Sequence, residues 1–301
     1  MPEQRDGLVV ATFGRHCLVE SADGARRICH PRGKKSEVVV GDRVRWQPSG
    51  DEGSIETLNE RRNLFYRQDE LRTKSFAANL DQVLILVAAE PVFSQAQLAR
   101  ALIAAEAQRI TPLIALNKRD LTEAFERAWQ RLAPYRRMGY DTLGLSLRDG
   151  DPEASGLTEL SARLTGRITL VLGPSGAGKS TLINRLVPGA QAQTGEISQA
   201  LNSGRHTTTS TTWYWLDDER SSALIDSPGF QAFGLQHIPP MQLALCMPDL
   251  AAHAGECRFA NCSHRHEPGC GVLQALEQGA IDASRHEIYR QLFDELSQTR
   301  Y

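Results

Sequence analysis

No stretch of this 301-residue chain approaches the roughly 18 consecutive apolar residues that suggest a membrane span, and the N-terminal MPEQRDGLVV lacks an apolar core of signal-peptide length. The expectation is a cytoplasmic protein with no membrane partner. There is no charge excess either. The 34 Lys and Arg against 36 Asp and Glu leave a net charge of -2, so bulk electrostatics gives no sign of nucleic acid. Internal repeats and low-complexity tracts are missing. Cysteine is scarce and uneven: Cys17, Cys29 and Cys246 are scattered, whereas Cys257, Cys262 and Cys270 crowd beside His264. That distribution argues against a disulfide scaffold and for a metal site. With 41% hydrophobic and 23% charged residues, the composition is that of an ordinary globular protein, long enough for two or three domains.

Three textures predict domains at 1–75, 76–230 and 231–301. From Leu8 to about Trp46, short Val-rich runs such as LVVATF and EVVVGDRVRW are broken by glycines, without a sustained helical period. These fit a small β-barrel, of which the oligonucleotide-binding (OB) barrel is one candidate. Arg26, Arg27, Arg32, Lys34 and Lys35 form a basic loop there with His30 and no acid, a candidate RNA contact; a solvated turn is the plain alternative. From Val83 the texture alternates. VLILVAA, a helical spacing over 94–109, PLIAL, ITLVLG and a helix from near Lys179 predict a parallel sheet with crossover helices, continued by WYWL and SALID around a polar turn. Beyond Gly229 the chain turns helical: LALCMPDLAAH, the Cys/His cluster, then two helices.

GPSGAGKS at 173–180 matches G-x-x-x-x-G-K-[S/T] and falls between an apolar strand and an apolar helix, the context a phosphate-binding loop requires. Glycines let backbone N–H groups turn inward around phosphate, and the helix N-terminus adds its positive end. Lys179 should reach the β- and γ-phosphates and Ser180 should ligand Mg²⁺. Asp226-Ser-Pro-Gly229, at the end of SALID, is a D-x-x-G in which Asp226 would hold Mg²⁺ and the Gly229 amide would sense the γ-phosphate. Between them lies GRHTTT, a switch-like stretch in which Thr208 or Thr209 would supply a second hydroxyl to the metal.

Asn117-Lys-Arg-Asp120 directly follows PLIAL, where N-K-x-D reads guanine. Asp120 would accept from the guanine N1–H and exocyclic amine, and a wrong base would leave that carboxylate unpaired. Ser146-Leu147 is a candidate for the remaining base-edge loop. N-K-x-D here precedes the phosphate loop, the reverse of an ordinary GTPase, so the domain reads as circularly permuted and its switch leads straight into the C-terminal module. Phe230 follows the D-x-x-G where many GTPases carry a water-orienting glutamine. Hydrolysis then needs another group, a partner or K⁺-assisted charge neutralisation, and His206 is the candidate for positioning water.

Cys257-x4-Cys262-x-His264-x5-Cys270 offers three thiolates and an imidazole, a closed set suited to one structural zinc; His253 or His266 are alternative ligands. Taken together, N-K-R-D before GPSGAGKS, then GRHTTT, DSPGF and CRFANCSHRHEPGC, resemble the ribosome small-subunit-dependent GTPase A (RsgA) family over almost the whole chain. The resemblance implies an OB barrel, a permuted P-loop GTPase domain of α/β class and a mainly helical zinc domain. It also implies a role in late maturation of the small (30S) ribosomal subunit, with GTP hydrolysis stimulated by that subunit and its rRNA as partner. A monomer is expected. Carried over, nucleotide contacts would fall on Asn117, Lys118, Arg119 and Asp120 and on Gly173, Pro174, Ser175, Gly176, Ala177, Gly178, Lys179, Ser180 and Thr181, and zinc would take Cys257, Cys262, His264 and Cys270. Ser-Leu at 146 departs from the family's Ser-Ala. Two other classes remain: a metal-insertion NTPase, which would need an exposed and exchangeable metal site, and a nucleotide-gated RNA-binding adaptor without turnover.

Overall fold

The structure, a computed structural model, describes residues 4–13, 16–32, 38–69, 72–190, 211–228 and 233–298. The Val-rich runs form β1 (Arg5–Phe13), β2 (His16–Glu20), β3 (Arg26–Pro31), β4 (Arg43–Ser49) and β5 (Glu52–Leu58). β1 pairs with both β2 and β4, β2 with β3, β3 in parallel with β5, and β5 with β4, so the order closes on itself as a five-stranded barrel. Alternation along the strands sends Val9, Cys17, Val19, Cys29, Val44, Trp46 and Ile55 inward as its core. The Val38–Val40 run, expected to begin a strand, makes only an isolated bridge from Val40 to Ala77. Asp42 is the reason: its carboxylate accepts from the Val39 amide at 2.8 Å and folds the chain into a turn before β4 starts.

A separate hairpin, β6 (Leu64–Gln68) and β7 (Thr73–Ala78), spans the 75/76 position and belongs to neither larger sheet. Arg61 ties it to the barrel turn through Asp42 at 2.7 Å, and Asn79 Nδ2 donates to the Gly41 carbonyl at 2.9 Å.

The alternating middle region gives β8 (Gln82–Ala88), β9 (Thr111–Asn117), β10 (Asp141–Gly144), β11 (Ile168–Leu172), β12 (Thr212–Trp215) and β13 (Ala223–Asp226), in the order β10-β9-β8-β11-β13-β12. The first five are parallel; β12 turns back antiparallel to β13, and its Thr212 pairs with Ala11 of β1, joining the sheet to the barrel. Helices α1 (Gln95–Ala107), α2 (Thr122–Arg131), α3 (Ala133–Arg137), α4 (Pro152–Ser155), α5 (Leu157–Leu164) and α6 (Lys179–Leu186) flank it. Because neighbours on a strand point to opposite faces, Val83, Ile85 and Val87 of β8 pack with α1 residues Leu98 and Leu102, while Leu84 and Leu86 face Leu160, Leu164 and Leu182 of α5 and α6. This explains why β8 reads as one unbroken apolar run.

After β13 come a 3₁₀ helix (Pro240–Cys246), α7 (Pro248–Ala254), α8 (Gly271–Glu277) and α9 (Ala283–Ser297). LALCMPDLAAH, expected as one helical stretch, is split at Met247, whose φ of -125° and ψ of 100° are what a residue before proline prefers. Helix α9 returns to the central domain: Arg100 of α1 donates to Glu295 at 3.0 Å and to the Phe233 carbonyl at 3.2 Å. Arg285 of α9, fully buried, pairs with Asp249 of α7 at 2.9 Å and lies over the Tyr135 ring of α3.

Candidate functional site

The loop 173–178 leaves β11 and enters α6 at Lys179. Two of its glycines are obligatory on steric grounds. A Cβ on Gly173 would stand 2.3 Å from the Leu86 carbonyl oxygen; one on Gly178, at φ +102°, would stand 2.5 Å from Asn117 Nδ2. Lys179 folds its ammonium over the loop, donating to the carbonyls of Gly173 at 2.8 Å and Pro174 at 3.2 Å. Asp226, in register with Val171 on the adjacent strand, faces the same recess. Burial pushes its carboxyl up to about 6 although Lys179 pulls the other way, and burial lowers Lys179 against the opposing pull of Asp226. Burial thus disfavours the charged forms of both groups, and each charge partly offsets that cost for the other. Ser227 anchors the strand end by donating to the Val171 carbonyl at 2.8 Å. Ser180 and Thr181 lie half-buried in the first turn of α6, and Ser175 and Gly176 are exposed at the loop tip. His206, Thr208, Thr209, Gly229 and Phe230 lie outside the described residues, as do Lys34 and Lys35.

Asn117 closes β9 next to this loop. Its buried side chain donates to the Ala177 carbonyl at 2.9 Å and accepts from the Leu147 amide at 3.3 Å, so one amide holds the phosphate loop and the 146–147 loop together. Lys118 takes φ +71° and reaches the Glu90 carbonyl; Arg119 reaches the Ala154 carbonyl. Asp120 remains partly open, with Ser146 Oγ at 3.4 Å and Arg148 Nη1 at 3.9 Å. Arg185, in the last turn of α6, donates to the carbonyls of Leu147 at 3.0 Å, Asp149, and Gly150 at 3.4 Å. Motif reading passed over Arg148 and Arg185; Arg185 has no local signal because its partners lie some 35 residues away in sequence.

The barrel arginines present a different electrostatic picture from their sequence neighbourhood. The loop carries no acid, but the strands bring acids to it: Arg26 pairs with Glu20 at 2.7 Å, His30 with Glu52 at 2.6 Å and Arg32 with Glu56. Arg27 donates to the Gly50 carbonyl at 3.1 Å and lies over the Trp46 ring.

Cys257, Cys262, His264 and Cys270 bring one ligand atom each to within 4.8 Å of one another. Sγ of Cys257 lies 3.8 Å from Sγ of Cys270, and His264 Nδ1 lies 3.4 Å and 3.5 Å from those sulfurs. A tetrahedral ion with metal–sulfur and metal–nitrogen bonds of about 2.3 and 2.05 Å requires separations of about 3.8 and 3.6 Å, so the donor set fits such an ion. Burial raises the Cys262 thiol to about 12 and lowers His264, leaving neutral donors that a cation would convert to thiolates. The loop is braced from outside. Glu267 accepts from the amides of Ser263 at 2.8 Å and Arg265 at 3.1 Å; burial would raise its carboxyl, but hydrogen bonds from the Ser263 hydroxyl and amide and from the His266 amide hold it well below the usual range. His264 sits at φ +56°, its carbonyl accepting from His286 Nε2 at 2.8 Å. His253 instead faces Glu256, and among the described residues the four named positions are the group that could hold a metal.

A protein-family model described as RsgA GTPase matches residues 58–236. The Small ribosomal subunit biogenesis GTPase RsgA of Variovorax paradoxus (strain S110) is 69% identical over 301 residues, covering 98% of this chain and 94% of that one. Its counterpart in Bordetella pertussis is 53% identical over 298 residues, covering 99% and 98%. The crystal structure of YjeQ from Thermotoga maritima superposes with a TM-score of 0.77 at 29% identity, covering 99% of this chain and 100% of that one. That of YloQ, described as a circularly permuted GTPase, gives 0.72 at 25% identity over 99% and 98%. N-K-x-D ahead of the phosphate loop, a barrel before them and a Cys₃His loop after them agree with these likenesses, and the chain belongs to the RsgA GTPase family.

Proposed function

We propose that this chain hydrolyses GTP to GDP and phosphate on the small ribosomal subunit during its late maturation, with the subunit stimulating turnover and nucleotide state controlling its grip on rRNA. The observation that carries this reading is the Asn117 tie: the guanine-reading element and the phosphate loop are hydrogen-bonded to each other, so base and phosphates share one rigid site. Asp120 would accept from the guanine edge beside Ser146 and Leu147. The amides of 173–178 would line the phosphates, with Lys179 leaving the Gly173 and Pro174 carbonyls to meet the β- and γ-phosphate oxygens. Ser180 and Asp226 would hold Mg²⁺, which supplies charge neutralisation at the phosphates. Thr208 or Thr209 would add a hydroxyl, the Gly229 amide would report the γ-phosphate, and His206 would position water in place of the glutamine that Phe230 replaces.

In this reading residues 1–75 form an RNA-binding barrel, with Arg26, Arg27, Arg32, Lys34 and Lys35 as contacts. Residues 76–230 form the GTPase domain and 231–301 a module closed by one structural zinc on Cys257, Cys262, His264 and Cys270. The ion would fix the loop between α7 and α8 and would do no chemistry. The protein would act as a cytoplasmic monomer.

The test is GTP hydrolysis by the purified protein with and without small subunits, in K⁺ and in Na⁺, with ATP as the control nucleotide and Lys179→Ala as the inactive variant. Strong stimulation that needs GTP and Lys179 is expected. GTP-dependent subunit binding without added turnover would instead mark an adaptor, and no response to subunits at all would overturn the ribosomal assignment.

A further inference from the structure

Helix α6 touches both halves of the nucleotide site. Its first residue, Lys179, belongs to the phosphate loop; six residues later, about 9 Å along the axis, Arg185 closes over the loop that ends β10. There the guanidinium meets three carbonyls of a single turn, those of Leu147, Asp149 and Gly150. The turn has few internal ties: Asp149 N donates to the Ser146 carbonyl at 3.2 Å, and Ser146 N to the Ser155 carbonyl at 2.9 Å. Converging carbonyl dipoles repel one another, and a planar, permanently charged fork is the side chain best shaped to hold them. On the far side of the turn, Ser146 Oγ stands 3.4 Å from Asp120, and Leu147 N is held by Asn117.

We propose that Arg185 is the positioning residue for guanine recognition, fixing the 146–150 loop against α6 so that Ser146, Leu147 and Asp120 stand at a set distance from the phosphate loop. The proposal rests on the reading of Asp120 and Ser146-Leu147 as the base site. Arg185 itself touches no nucleotide. Along the chain the base loop reaches the phosphate loop through α4, α5 and β11; beside the Asn117 bonds, Arg185 adds a second tie by holding that loop to the helix the phosphate loop opens. It acts on the base and leaves the phosphates alone.

The experiment measures the affinity of the full chain for GDP and for inorganic triphosphate, which occupies the phosphate loop without a base, in wild type, Arg185→Ala, Arg185→Lys and Asp120→Ala. Arg185→Ala is expected to weaken GDP about tenfold or more, the worth of one charged hydrogen bond, while triphosphate stays within about twofold. Maximal subunit-stimulated kcat should stay near wild type while the KM for GTP rises. Arg185→Lys, a point charge able to hold part of the turn, should recover part of the loss. Equal weakening of GDP and triphosphate, with a lowered unfolding temperature, would mark a merely structural arginine and overturn the proposal. So would unchanged GDP affinity in Arg185→Ala when Asp120→Ala loses it. If Asp120→Ala also binds GDP normally, the base-site reading falls and the role of Arg185 falls with it.

Discussion

Replacing Asn117 by alanine removes an amide whose two hydrogen bonds join the phosphate loop to the base loop. The Ala177 carbonyl and the Leu147 amide lose their side-chain partner in a buried setting, and each such group costs about 1–3 kcal/mol when unpaired. The Leu147 bond, at 3.3 Å, is the weaker of the two. A combined loss of about 2–3 kcal/mol in site order sets the ceiling on the weakening of GDP at roughly 30- to 150-fold. Gly178→Ala attacks the same contact from the other side. Its Cβ would press to 2.5 Å from Asn117 Nδ2, and φ +102° adds about 1–2 kcal/mol of left-handed strain. Once Asn117 is alanine, the 2.5 Å clash is gone and only Leu147 Cδ1 stays close, at 3.3 Å, so the double variant should lose about 1–2 kcal/mol less than the two single losses added together. Fluorescent GDP titration of the four proteins, with unfolding temperatures alongside, gives the cycle. Losses that add to within about 0.5 kcal/mol would refute the idea that the two residues act through one contact.

Three other outcomes follow from the geometry. Burial raises Asp226 to about 6, so below that pH a proton competes with Mg²⁺; Mg·GTP affinity should fall by up to about tenfold per pH unit between pH 6 and 5, and Asp226→Asn should remove that part of the pH dependence in calorimetric titrations. Without a ligand the same shift works against folding: stability falls as pH rises from about 4 through 6, because only the protonated carboxyl is at ease in the fold. Stripping metal with a chelator should raise hydrogen exchange across 257–270 and lower the unfolding temperature while GDP binding is retained; metal analysis finding no zinc in freshly purified, reduced protein would contradict the Cys₃His assignment. Asp249→Ala leaves the Arg285 guanidinium buried without its carboxylate and should cost about 3–5 kcal/mol in urea unfolding, whereas Asp249→Ala with Arg285→Met should recover most of it.

The elements legible in the sequence were those with a local signature. VLILVAA, PLIAL and ITLVL are buried on both faces and became β8, β9 and β11, and GPSGAGKS fell between strand and helix, with Gly173 and Gly178 where an added Cβ would come within 3 Å of the Leu86 carbonyl and the Asn117 amide. The four metal-cluster residues were legible because their spacing is short. What escaped was long-range. The pairing of Thr212 on β12 with Ala11 on the β1 edge of the barrel joins distant parts of the chain, which no window of sequence around 212 contains. Helices α2 and α3 drew no reading from the sequence, although α2 carries Ala124, Phe125, Ala128 and Trp129 at helical spacing toward the core. Glu20 on β2 and Glu52 and Glu56 on β5 meet Arg26, His30 and Arg32, so part of a cluster that looked uniformly basic along the chain faces acids in space. Arg185 was missed for the same reason.

The joint between β12 and β1 also sets a timetable for synthesis. At about 5–20 residues per second, the neighbour of Ala11 on β12 emerges about 10–40 s after Ala11 itself. The β13-facing edge of β11 waits about 3–10 s for its partner. During that interval the apolar strand ITLVL shows an open row of amides and carbonyls, a template for pairing with the wrong chain. In a nucleotide domain of ordinary order the phosphate-loop strand begins the chain and waits for both neighbours; here β8 is already made and β13 alone is awaited. Permutation makes β13 the last strand of the sheet, so the β11 edge stays open until most of the protein has been made.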